Sequence, residues 1–102
     1  MKNHDVLLKQ VGITTDGKKV FAGVFRFVET HGMPLEVLLG LLSERDIIPC
    51  WLAFYREARA AGMSYDRIMA KLDQAVADGL GGPFRDEVLR TFKELRTRGL
   101  LT

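Results

Sequence analysis

Two histidines, one cysteine and a scatter of carboxylates are all this chain offers for acid–base, nucleophilic or metal chemistry. Their spacing joins none of them into a working set. His4 stands near the start. His31 directly precedes Gly32, where an imidazole at a helix end caps carbonyls and suits the helix dipole. Cys50, between Pro49 and Trp51 at the start of an apolar segment, reads as a buried structural thiol rather than a nucleophile. The acidic pairs Asp86/Glu87 and Glu44/Asp46 read as solvated helix-end charges. There is no close set of Cys and His ligands, no Gly-x-x-x-x-Gly-Lys loop and no Gly-x-Ser-x-Gly elbow. The expectation is a protein without catalytic residues, metal or cofactor, and not an enzyme.

The elements that must carry any other activity are written more plainly. Gly32-Met33-Pro34-Leu35-Glu36 returns as Gly62-Met63-Ser64-Tyr65-Asp66, and the echo continues through Leu38/Ile68, Leu39/Met69 and Leu42/Leu72. This is the grammar of helix junctions: a left-handed glycine closes one helix, an apolar residue folds back on it, and Pro or Ser opens the next. Gly12-Ile13-Thr14 carries similar punctuation, and Gly99-Leu100 half of it.

The pattern predicts an all-α fold, five or six short helices in one domain over residues 1–102. A first helix is placed over about Asn3 to Val11, with a β-hairpin around Asp16-Gly17 as the alternative. Helix is preferred because Val20, Phe21, Val24, Phe25 and Val28 then fall on one helical face closed by Gly32. Leu35 to about Arg45 is apolar on nearly every side, either the central helix of the core or half of a self-association surface through Leu35, Leu38, Leu39 and Leu42. Pro49 opens a helix to Ala61 with Trp51, Phe54, Tyr55 and Ala58 inward and Arg56, Glu57 and Arg59 outward. Ser64 caps another, to about Asp78, with Ile68, Met69, Leu72, Ala75 and Val76 as its stripe. Gly79-Leu80-Gly81-Gly82 is a hinge or turn. Pro83 starts the last helix, to about Arg98, which buries Phe84, Val88, Phe92 and Leu95.

With 102 residues, 47% apolar and 27% charged, the chain is sized to fold as one domain without disulfide or metal staples. The net charge of +2 permits nucleic-acid contact without demanding it. The lone cysteine suits a reducing cytoplasm, and the longest apolar run, Val37 to Leu42, is too short to span a bilayer.

The stretch Phe54 to Asp73, with Ala58, Gly62, Met63, Ser64, Ile68 and Leu72 at their spacing, resembles a helix-turn-helix unit of the broad DNA-binding superfamily. The resemblance implies a small regulatory protein that contacts double-stranded DNA, usually as a homodimer. Two registers are open. In one, the Ser64 helix reads DNA through Ser64, Tyr65, Asp66, Met69, Ala70 and Asp73, with Arg56 and Arg59 on phosphates, although Asp66 and Asp73 would face a polyanion. In the other, the Pro83 helix is the reader, with Arg85, Arg90, Lys93, Arg96 and Arg98 against three acids. The competing expectation is a protein-interaction module, using the Leu35–Leu42 helix, Ile47-Ile48 and Leu100-Leu101 as an apolar patch for a protein partner.

Overall fold

A computed structural model, describing residues 8–77 and 79–101, gives the order β1 (Lys9–Ile13), β2 (Lys19–Ala22), α1 (Val24–His31), α2 (Leu35–Glu44), β3 (Ile47–Pro49), α3 (Trp51–Ala60), α4 (Tyr65–Ala77), a 3-10 helix (Gly79–Phe84) and α5 (Arg85–Thr97). The all-α expectation is therefore corrected: five α-helices pack with a mixed sheet of order β1-β2-β3. Asp16-Gly17 does form a hairpin. Thr14 N–H donates to Lys18 O at 2.8 Å, Gly17 N–H to Thr14 O at 3.0 Å, and Lys18 N–H to Thr14 Oγ1 at 2.9 Å. The antiparallel register runs from Lys9 opposite Ala22 to Ile13 opposite Lys19, with a bulge between Gln10 and Gly12. The part of the expected first helix that falls on residues 3–7 lies outside the described residues. Of the remainder, Leu8 is a bend and the residues from Lys9 on are strand, and Gly12 closes no helix.

The helical reading of Val20 to Val28 is corrected at Gly23. Its φ of 92° turns the chain between β2 and α1, so Val20 and Phe21 belong to the strand and the helix starts at Val24. β3 pairs with β2 in parallel, Lys19 opposite Ile47 and Phe21 opposite Pro49, and Cys50 N–H extends the ladder to Phe21 O at 2.7 Å. A parallel pair needs a crossover, which α1 and α2 supply. Pro49 thus ends a strand instead of opening a helix, and Trp51 begins α3.

The junction grammar holds at the two echoed corners. Gly32 and Gly62 have φ of 63° and 97°, and Met33 and Met63 pack against the core. At Gly62 the closure is complete: Met63 N–H reaches Ala58 O at 3.1 Å and Gly62 N–H reaches Arg59 O at 2.9 Å, the paired bonds that satisfy the last carbonyls of a helix. The next helix opens on Ser64, whose Oγ accepts Arg67 N–H at 3.3 Å.

Leu35, Leu38, Leu39 and Leu42 are all buried, Leu39 completely. α2 is the central helix, packed by α1, α4, β3 and the 3-10 turn. Of the two roles open to it, the structure takes these four leucines into the chain's own core, so they form no surface for a second copy. Around them Trp51, Phe54, Phe84 and Phe92 make an aromatic cluster. The Trp51 ring centre lies 6.1, 6.0 and 6.3 Å from those of Phe54, Phe84 and Phe92, edge-on to the first two. The glycine-rich segment is a packed turn and not a hinge. A Cβ on Gly81 would stand 2.1 Å from Ala75 O and 3.3 Å from Leu39 Cδ1, so only glycine lets this backbone pass between α4 and α2. No helix among the described residues is long and apolar enough to cross a membrane.

Candidate functional site

α4 and α5 lie side by side in opposite directions. At one end Arg85 Nη1 donates to Ala77 O at 2.9 Å; at the other, Arg96 donates to Tyr65 Oη and stacks its guanidinium 5.1 Å from the centre of the Tyr65 ring. Between these clamps runs a groove of about 500 Å³. Leu72, Val88 and Phe92 form its buried floor, Met69 and Leu89 its apolar walls, and Asp73, Lys93 and Arg96 its charged rim. The floor follows from the helical period of both stripes: Ile68, Leu72, Ala75 and Val76 on α4, and Val88, Phe92 and Leu95 on α5, point to the core. Leu89 falls off that stripe, and at 55% exposure it is the barest large apolar side chain on any described helix.

The cations assigned to DNA divide into two sets. Arg85 and Arg96 clamp the ends of α4 as above, and Arg59 Nη1 donates to Met63 O at 3.2 Å across the Gly62 corner. These three hold helix ends together. Arg56, Arg90, Lys93 and Arg98 are exposed, and their side chains make no hydrogen bond or ion pair with another described residue. In the register that reads DNA with α4, Ser64, Asp66, Ala70 and Asp73 are exposed, whereas Tyr65 and Met69 are half-buried in the groove shared with α5, and Tyr65 also packs edge-on to Tyr55 at 6.2 Å. Ser64 is exposed at the corner, occupied by its capping bond. Ile47, Ile48, Leu100 and Leu101, expected as parts of an apolar patch, are half-buried against the core.

No family model, curated protein or solved structure matches the chain. Its own chemistry is what distinguishes the site.

Two carboxylates read from sequence as solvated do structural work. Glu57 of α3 reaches the N-terminus of α1, accepting Gly23 N–H on Oε2 at 3.0 Å and Arg26 N–H on Oε1 at 3.3 Å, a cap supplied from a distant helix. Glu87 accepts Trp51 Nε1–H at 2.7 Å. The signal for the second lay in Trp51 itself, since a buried indole N–H needs an acceptor. Nothing local in the sequence pointed to the first. Cys50 is half-buried and unpaired as a thiol, with its backbone in the β2–β3 ladder. His31 ends α1 with its ring 4.4 Å from that of Phe27. Among the described residues no three His, Cys, Asp or Glu side chains gather where they could hold a metal ion, and His4 lies outside them.

Proposed function

We propose that this chain is a cytoplasmic, non-enzymatic protein-interaction module whose docking site is the α4–α5 groove. The observation that carries the reading is the groove itself, a trough with an apolar floor, Leu89 bare on its wall, and Lys93 and Arg96 outnumbering Asp73 on its rim. A helix laid in a groove anchors through apolar side chains at i, i+3 and i+7, and flanking carboxylates would meet the two rim cations. The fitting ligand is thus an amphipathic helix with acidic residues beside its apolar stripe. Titrating a synthetic leucine/glutamate helix of that pattern into isotopically labelled protein tests it. Amide shifts should concentrate in residues 65–73 and 88–97 and vanish in Leu89→Arg. Shifts spread elsewhere, or insensitive to Leu89→Arg, would refute the groove as docking site.

A second reading, binding of double-stranded DNA through the outer face of α5, draws on the uncommitted Arg90 and Lys93. Changing Arg90, Lys93 and Arg96 to alanine would then lower the log–log salt slope of duplex binding by about one for each phosphate that the variant no longer neutralises. Absence of binding to any duplex at low salt ends this reading.

A further inference from the structure

We infer that the cleft between the β1–β2 hairpin and α5 is a binding site for a small molecule with an apolar body and a single carboxylate. The site is separate from the α4–α5 groove and does not rest on that groove being a docking surface. Val20 and Ile48 are register partners in the parallel pair, so their side chains leave the sheet on one face. Across the cleft, α5 contributes Glu87, Arg90, Thr91 and Leu95, at i, i+3, i+4 and i+8 along one flank. The groove takes Val88, Leu89, Phe92, Lys93 and Arg96 from the other flank, and the two sites share no lining residue.

The cleft measures about 550 Å³, a size that suits a small molecule. Its apolar floor is incompletely covered, because Val20, Ile48 and Leu52 are only half-buried. An apolar body laid there would take that surface out of water.

The polar walls choose the rest of the ligand. Their formal charges cancel, Lys18 and Arg90 against Asp16 and Glu87, so the cleft has no net field to draw in a polyanion. Their bonding does not cancel. Asp16 accepts the Thr14 hydroxyl, and Glu87 accepts Trp51 Nε1–H at 2.7 Å. Lys18 and Arg90 are exposed, and their side chains make no hydrogen bond or ion pair with another described residue. The unused capacity is thus donor capacity, one cation on the hairpin wall and one on the α5 wall. A carboxylate takes two parallel N–H bonds from a guanidinium, so Arg90 supplies the fork and Lys18 a second, point-charge contact. A further negative charge on the ligand would meet Asp16 and Glu87. Binding in so open a cleft is weak: for about a dozen non-hydrogen atoms, a dissociation constant of about 0.1–5 mM is expected.

The probe is 4-phenylbutyrate, titrated to about 10 mM into the isotopically labelled full chain at constant pH and ionic strength. Amide shifts should concentrate in residues 14–20, 48–52 and 87–95. The fluorescence of Trp51, the chain's one tryptophan and part of the cleft lining, should follow the same curve. The neutral 4-phenylbutanamide should bind at least about fivefold more weakly, for want of the charge-assisted bonds. Arg90→Gln should weaken binding of the acid roughly five- to tenfold and leave that of the amide unchanged. Circular dichroism checks that the variant is folded. No saturable shift up to about 10 mM, shifts concentrated instead in residues 65–73, an amide that binds as well as the acid, or an acid indifferent to Arg90→Gln overturns the inference. The groove keeps its own test, the leucine/glutamate helix against Leu89→Arg, so failure of one site is distinguishable from failure of the other.

Discussion

At the scale of single residues, the chain's polar groups act mainly as fasteners. Glu57 closes the N-terminus of α1 through two backbone N–H groups 31 and 34 residues away. Glu57→Ala should cost about 1–2 kcal/mol in chemical denaturation. Hydrogen exchange at the Gly23 and Arg26 amides should rise with it; unchanged exchange there would show that the cap is not made in solution. Gly62 is fixed by its φ of 97° and not by crowding, since a Cβ there would meet nothing within 4 Å. Gly62→Val should therefore destabilise by more than ~1 kcal/mol through backbone strain alone, and Gly62→Asn by less. In the hairpin, the Thr14 hydroxyl donates to Asp16 and is the main cause holding that carboxyl below its ordinary value of 3.8, with Lys18 adding a smaller attraction. A lowered folded pKa means that the interaction stabilises the turn above the unfolded pKa and is lost as pH falls through the lowered one. Thr14→Val should move the Asp16 titration, followed by carboxyl-carbon NMR, back toward 3.8.

At the scale of elements, the 3-10 turn between α4 and α5 shows how composition and packing can disagree. Three glycines in four residues promise freedom, yet Gly81 is buried where the chain passes within a Cβ radius of Ala75 O. Gly81→Ala has no flexible neighbour to push aside, because the obstructing atom is backbone. A loss of about 1–3 kcal/mol is expected, read by thermal unfolding. The same turn sets the antiparallel approach of α4 and α5, and so the width of the groove. α5 thus has one buried face that makes the core and one outer face that leaves Leu89, Arg90 and Lys93 exposed. The two proposed uses, docking in the groove and contact with DNA, would compete for Lys93.

At the scale of the molecule, the leucines of α2 and of α5 separate the core from the surface. Leu39 is completely buried among the helices and the 3-10 turn, and Leu39→Ala should cost about 2–5 kcal/mol. Leu89→Ala should change stability by no more than about 0.5 kcal/mol. If the two losses were similar in urea unfolding of dilute protein, Leu89 would belong to the core and the groove would be closed.

Local chemistry determined the helices after Gly23: the caps at Gly32, Gly62 and Ser64, and the inward stripes from Trp51 to Leu95, depend on residues within one or two turns of each other. The hairpin was also legible at Asp16-Gly17, but the period of Val20 to Val28 fits helix and strand-plus-turn alike, and Gly23 alone breaks the tie. What the sequence could not specify is pairing between distant segments. Ile47-Ile48 becomes a parallel strand only because α1 and α2 return it to β2, Glu57 caps a helix it never neighbours in sequence, and α2 is interior only because α1, α4, β3 and the 3-10 turn surround it. The candidate site follows the same division. The charges of α5 could be read along the chain, whereas the exposure of Leu89, which of the cations are spent on Tyr65, Ala77 and Met63, and which remain beside an open groove are decided by how the helices pack.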